Sequence, residues 1–218
     1  MSLFVDPPFS PNRAIDAAIR EMLPDFSEAS QRRMKKAIRD VGNAALKHQD
    51  ENTDAGARHI FREFIPASVL NRRGYALEYN VSLSGKTPDW FDAKSELLMD
   101  SYTYERGGTS AFLDRVKSSV ATKCNTYQDI VVESSLRFVV PVYLDFLTCV
   151  TLEECFEERD SFRATFLDNP GLWAIMFFTE GKPGIAIAGQ PYSFFCLVAD
   201  EAFKQIDRWA LPSICVHS

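Results

Sequence analysis

Two stretches of the sequence constrain what the rest can fold into: Phe138-Val139-Val140-Pro141-Val142-Tyr143-Leu144 and Leu172 to Thr179 (LWAIMFFT) are almost continuously apolar. Their length suits a strand. A strand apolar on both sides has to be covered on both faces, as in a sheet layered by helices. Pro141 has no N–H to give to a ladder, so the first of these strands is expected at a sheet edge or at a bulge.

The segments around them supply helices and further strands. Phe112, Val116, Val120, Ala121 and Cys124 recur at helical spacing between Ala111 and Val131. Thr151 and Glu154 form a capping-box pattern that opens a helix running to about Phe166. Upstream, Ile60, Phe61, Phe64, Ile65, Val69 and Leu70 give residues 57–71 an apolar helical face, with Pro66 expected to kink it and Gly74 placed for a left-handed cap. The period then drops to two. Tyr75, Leu77, Tyr79 and Val81 alternate with Ala76, Glu78 and Asn80, and Ser84-Gly85 makes a turn. Segments around Pro88 to Phe91 and from Glu96 to Tyr104 continue the sheet, and Arg106-Gly107-Gly108 closes it. A short strand, Ser193 to Val198, and a helix, Asp200 to Trp209, follow the second apolar run. Crossover helices permit parallel pairing and the meander pairs antiparallel, so the expected fold is α/β with a mixed central sheet flanked by helices.

Ahead of this domain the spacing predicts two helices separated by Pro24: one carries Ile15, Ile19 and Met22, the other Met34, Ile38, Val41 and Leu46. The second, from about Ser27 to Lys47, also holds Arg32, Arg33, Lys35, Lys36 and Arg39, which wrap most of its circumference. A solvated helix is the plain reading and a phosphate-binding surface the alternative. The polar segment His48 to Gly56 reads as a linker. The expected organisation is an N-terminal helical extension over residues 1–52 and an α/β domain over 53–218.

Composition excludes several classes. No apolar run approaches the roughly 20 residues of a membrane-spanning helix, and Met1 to Pro11 lacks the order of a secretion signal, so a cytoplasmic protein away from membranes is expected. Five cysteines with no CxxC pair encode neither a disulfide framework nor a zinc knuckle, and read as reduced, mostly buried thiols. A net charge of −6 provides no global field for nucleic acid, so binding to it needs a local patch. His48, His59 and His217 are too scattered for a metal triad, no G-x-S-x-G elbow is present, and Gly85-Lys86-Thr87 lacks the upstream glycine of a phosphate-binding loop. The apolar set Phe194, Phe195 and Leu197 suits packing or the surface of a homodimer.

What remains is a group of carboxylates. Strand alternation puts Glu96, Leu98, Asp100, Tyr102 and Tyr104 on one face. Asp100 lies within an otherwise buried strand, where an ionised carboxylate is expensive unless it is paired or metal-bound. If the strand carrying Asp89 runs beside it, two carboxylates converge in the oxygen-rich arrangement that Mg2+ or Mn2+ prefers. Each residue also has a plainer reading: Asp89 as a turn residue, Glu63 as a solvated helix residue, Lys123 as a surface cation and Tyr127 as a core aromatic.

The pattern resembles the PD-(D/E)XK nuclease superfamily over roughly Ala57 to Thr179. Pro88-Asp89 stands where that family has Pro-Asp, and Asp100-Ser101-Tyr102 where it has Asp or Glu, any residue, then Lys. Glu63 stands where the family's first core helix often supplies a glutamate, and Lys123 to Tyr127 where RecB-type relatives carry Gln, three residues, then Tyr. The resemblance implies a restriction-endonuclease-like fold and a metal-dependent nuclease acting on nucleic acid, DNA foremost. Asp89, Asp100 and Glu63 would be the metal ligands for Mg2+ or Mn2+, and Tyr102 and Tyr127 would border the site. The family lysine is Tyr102 here, and a phenol with an ordinary pKa near 10 supplies neither base nor positive charge at neutral pH. Lys123, which shares a helix face with Tyr127, is the residue that would replace it. The alternative is a lapsed nuclease fold kept as a binding or assembly module.

Overall fold

The N-terminal helices form where the apolar spacing puts them. The structure, a computed structural model, describes residues 13–48, 53–104, 109–144, 150–180 and 192–199. Helix α1 is Arg13–Met22, a 3-10 turn with Pro24 at its start covers Leu23–Asp25, α2 is Glu28–His48 and α3 is Thr53–Asn71. Ile15, Ile19, Met22, Met34 and Ile38 are buried as their spacing requires. Helix α3 starts ahead of the expected Ala57, because the polar residues around Thr53 suit a helix N-terminus as well as a turn. It continues through Pro66 and ends at Gly74, whose φ of +95° is the left-handed cap that a side chain would disfavour. The Tyr75 N–H donates back to the Leu70 carbonyl at 3.2 Å and closes that cap.

The chain separates into two compact units, and α1 to α3 belong to the first together with a short antiparallel pair. In this pair, β1 (Glu78–Tyr79) faces β2 (Trp90–Asp92), with Glu78 opposite Phe91 and Tyr79 opposite Trp90. The unit is built around Trp90, which is fully buried. Its ring stacks on Phe26 at 4.9 Å, lies 4.9 Å from Tyr79 and meets Phe64 edge-on at 6.0 Å, contacts that bring α3 and both strands to one centre. Polar ties reinforce it: Asp25 accepts from the Ser68 hydroxyl at 2.6 Å and from Arg72 Nε at 2.8 Å.

The second unit holds residues 83–86 and those from Glu96 onward. The first of these is a two-residue hairpin turn, with Ser84 at φ +49° and Gly85 at +81°, and Leu83 and Lys86 exchanging backbone hydrogen bonds. The remainder contains β3 (Leu97–Met99), β4 (Tyr102–Tyr104), α4 (Thr109–Glu133), β5 (Arg137–Leu144), α5 (Leu152–Glu157), a 3-10 turn (Arg159–Phe162), α6 (Arg163–Asp168), β6 (Leu172–Glu180) and β7 (Tyr192–Val198). β3 and β4 both pair in parallel with β5, β5 pairs in parallel with β6, and β7 runs antiparallel to β6. The expected mixed α/β sheet is therefore present. The capping box at Thr151 is made in both directions, yet the helix it opens breaks after Glu157. The final helix expected at Asp200 to Trp209 lies outside the described residues, as do Arg106-Gly107-Gly108, Cys149, Cys215 and His217.

Pro141 corrects an expectation and explains a second feature. β5 is central, flanked on one side by β3 and β4 and on the other by β6, so its proline is not at an edge; the strand does carry an irregularity, where its register with β6 shifts between Phe138 and Val139, ahead of the proline. Along the β3 side the Arg137 N–H donates to the Glu96 carbonyl at 2.8 Å, and the Asp100 N–H donates to the Val139 carbonyl at 3.3 Å. The same register would aim the N–H of residue 141 at the Asp100 carbonyl, and proline has none. The neighbouring strand is interrupted at that level, over Asp100 and Ser101, which divides the expected Glu96–Tyr104 strand into β3 and β4. The proline is tolerated centrally because it removes one ladder bond only: the register is the same on either side, with Met99 beside Val139 and Tyr102 beside Val142. The substitution Pro141→Val restores that donor. The new amide is then expected to exchange hydrogen as slowly as its neighbours in β5, with stability changed little, because a ladder bond contributes about 1 kcal/mol and the loss of proline's stiffness removes a similar amount. An amide there that exchanges as fast as an unstructured peptide would assign the break to another cause.

Candidate functional site

In the second unit the site residues meet across the sheet and α4. Register puts Leu98 beside Phe138, Tyr102 beside Val142 and Tyr104 beside Leu144, so these side chains share one face of the sheet. Helix α4 covers that face with the stripe Phe112, Val116, Val120, Cys124 and Tyr127, all buried. It is fixed near both ends: Phe112 meets Tyr104 edge-on at 5.3 Å and Phe177 at 6.0 Å, and Tyr127 lies 5.6 Å from the Phe138 ring. Lys123 sits at the margin of this stripe. Its Nζ lies 3.1 Å from Asp100 Oδ1, with the two side chains 21% and 15% exposed. This is the pairing that an otherwise buried carboxylate requires. Tyr102 is half-buried on β4, two residues beyond Asp100, and the buried Tyr127 ring packs against the sheet.

In the first unit, Glu63 and Asp89 bear on one phenol. The Tyr79 hydroxyl donates to Glu63 Oε2 at 3.1 Å. Burial, followed by the charges of Glu63 and of Asp89, pushes the Tyr79 phenol far above its ordinary value, so it remains a hydrogen-bond donor at every physiological pH. Tyr79 is held in turn by its backbone N–H, which donates to the buried Ser30 hydroxyl at 3.0 Å. Asp89 is placed by the hairpin, where the Asn80 N–H donates to its carbonyl at 2.9 Å. Glu63 is anchored through its backbone as well, since the Trp90 indole N–H donates to its carbonyl at 2.8 Å. That carbonyl lies one residue along from Arg62, whose own helical donor Pro66 cannot supply. His59 Nε2, one helical turn before Glu63, lies 3.6 Å from Glu63 Oε1.

Sequence reasoning did not single out Tyr79, His59 or Asp92. Tyr79 is recognisable only once β1 is paired with the strand that carries Pro88-Asp89. Asp92 alternates with Asp89 and turns inward with Trp90. One of its oxygens accepts from the Lys94 and Ser95 N–H groups at 2.9 and 3.1 Å, and the other from the Ala76 N–H at 2.9 Å. Burial by itself would raise this carboxyl, but the backbone donors and the Ser95 side chain outweigh it and hold it below the ordinary value. It is a structural carboxylate. Asp92→Asn exchanges an acceptor for a donor and is expected to destabilise the fold by about 1–3 kcal/mol at pH 7. Because the folded carboxyl titrates below its unfolded value of about 3.9, the wild-type advantage should be complete above that pH and shrink as the pH falls through the folded value. Thermal melts of both proteins between pH 7 and pH 3 measure this. A constant difference across the range would contradict it.

Other chemistries find little footing among the described residues. Cys124 and Cys155 are buried, and burial pushes both thiols up to about 12, so neither is a ready nucleophile. Among the described residues no group of three or more His, Cys, Asp or Glu side chains is arranged to hold a metal ion, and no helix is long and apolar enough to cross a membrane. No protein-family model matches the chain, and no curated protein matches its sequence.

Proposed function

We propose that this chain is a divergent PD-(D/E)XK nuclease with a restriction-endonuclease-like fold, hydrolysing phosphodiester bonds of nucleic acid, DNA foremost, with Mg2+ or Mn2+. One observation carries the reading: the Lys123 ammonium, delivered by the helix that covers the sheet, lies 3.1 Å from Asp100 Oδ1. Asp100 is the first residue of the motif whose lysine position is occupied by Tyr102, and Lys123 supplies the positive charge that a phenol lacks. The family resemblance would assign the cation to Asp89, Asp100 and Glu63, whose carboxylate oxygens are the hard donors Mg2+ and Mn2+ take; among the described residues no three such groups are arranged to hold one, so the assignment rests on the motif alone. When bound, that cation would polarise the phosphodiester and make an attacking water more acidic. Lys123 would hold a phosphate oxygen and offset the charge that grows on it. Tyr79 keeps Glu63 oriented, and Tyr102 borders the site.

A second reading, a nuclease fold retained as a binding or assembly module without catalysis, is favoured by the phenol at position 102 and by the lack of a three-ligand group among the described residues. Calorimetric titration with Mn2+, together with cleavage of single- and double-stranded DNA, separates the two. The nuclease reading expects metal-dependent cleavage, loss of the Mn2+ binding heat in Asp89→Ala and Asp100→Ala, and a fall of roughly 10²–10³-fold in turnover for Lys123→Ala with a preserved fold. Wild-type protein that neither binds Mn2+ nor cleaves leaves the binding module. Unchanged turnover in Lys123→Ala removes this lysine from the site.

A further inference from the structure

Helix α2 carries six cationic and two acidic residues between Glu28 and His48, a local charge of +4 in a chain of −6, which leaves −10 for all other residues. The structure sorts these cations. Ser30, Met34 and Ile38 are buried on the side where α2 packs against α3 and β1. Arg33, on the flank of that side, is committed to an ion pair with Glu78 of β1. Arg32, Lys36 and Arg39, spaced at i, i+4 and i+7, all fall on the exposed stripe. The Arg32 and Lys36 side chains are 72% and 77% exposed, and their partners are Glu28 and Asp40 on the same helix. Exposed pairs within a helix are weak and screened by salt, so both cations are open to exchange for a stronger anion.

We infer that this stripe is a contact surface for the phosphodiester backbone of nucleic acid, an inference that rests on the nuclease reading and assigns its substrate a docking face. The stripe spans about 10 Å of helix axis, several phosphate steps along one strand. Two of its cations are guanidinium groups, whose planar fork matches a phosphate. The large apolar side chains of α2 that the structure describes, Met34 and Ile38, are turned inward, so the stripe has no apolar wedge among the described residues with which to enter a lipid surface. Contacts of this kind position a backbone and carry no sequence information, and they explain how an acidic chain holds a polyanion.

The test is binding of the full chain to a short labelled DNA duplex in EDTA, followed by anisotropy across a salt series. Each phosphate contact adds about 0.9 to the slope of log affinity against log salt. The triple variant Arg32→Gln, Lys36→Gln and Arg39→Gln is expected to lower that slope by about 2–3. Arg163→Gln, an equally exposed cation elsewhere, should leave it unchanged. If the triple variant fails to fold by circular dichroism, the single variants Arg32→Gln and Lys36→Gln should each lower the slope by about 0.9. Equal slopes for wild type and variants overturn the inference. Stripe-dependent binding to phosphatidylserine vesicles in place of duplex overturns it as well. Wild type that cleaves DNA with Mn2+ but shows no dependence on the stripe leaves the nuclease reading standing without this surface. Wild type that neither binds duplex nor cleaves removes both.

Discussion

An ionised carboxylate on the covered face of a sheet needs a cation, and the second unit is arranged so that Asp100 has one. The requirement fixes two elements together. Helix α4 has to lie with Lys123 at its margin, and the aromatic contacts of Phe112 and Tyr127 hold it there. The strand presents Asp100 on the face of Leu98 and Tyr102, which α4 covers, with its N–H still bonded to the Val139 carbonyl and one ladder bond missing where Pro141 cannot donate.

The first unit solves a related problem with a phenol. Glu63 and Asp89 bring two negative charges toward Tyr79, and a buried tyrosine in that field stays protonated. A protonated phenol donates to the carboxylate and adds no negative charge of its own, so Tyr79 orients Glu63. The packing behind it is aromatic: Phe26, Phe64, Tyr79 and Trp90 form one cluster, and the Trp90 indole hydrogen-bonds the Glu63 backbone. Orientation of the side chain and of the helix that bears it therefore come from the same few rings. Asp92, two residues from the cluster's tryptophan, shows how differently a carboxylate behaves when backbone donors satisfy it.

Features encoded by a local period or a local backbone requirement were legible in the sequence. The strands at 137–144 and 172–180, the stripe of α4, the left-handed Gly74 and the capping box at Thr151 all follow from spacing or from the chemistry of one residue. Strand alternation marked Asp100 as a carboxylate in need of a partner, and the family resemblance singled out Lys123, but that the two pair with each other is set by how α4 seats on the sheet. Features set by a partner element were not. Nothing near Pro141 announces that a central strand will carry it at the loss of one ladder bond, and nothing between Glu157 and Arg163 marks where the helix stops. Tyr79 and Asp92 acquire their roles from the register of β1 against β2 and from a loop sixteen residues away, which no window along the chain contains.

The source of the cation matters for what this site can tolerate. A lysine two residues beyond the carboxylate on one strand is positioned by the strand alone, because alternation returns it to the same face. Lys123 is positioned by the seating of a 25-residue helix on the sheet, so its distance from Asp100 depends on every ring and methyl in that interface. Interiors pack to near-crystalline density and transmit small displacements, so changes at Phe112, Val120 or Phe138 reach the ion pair without touching it. Position 102 on the strand carries a half-buried tyrosine, whose ring can line a surface and whose hydroxyl can donate or accept, so polar groups come from both sheet and helix.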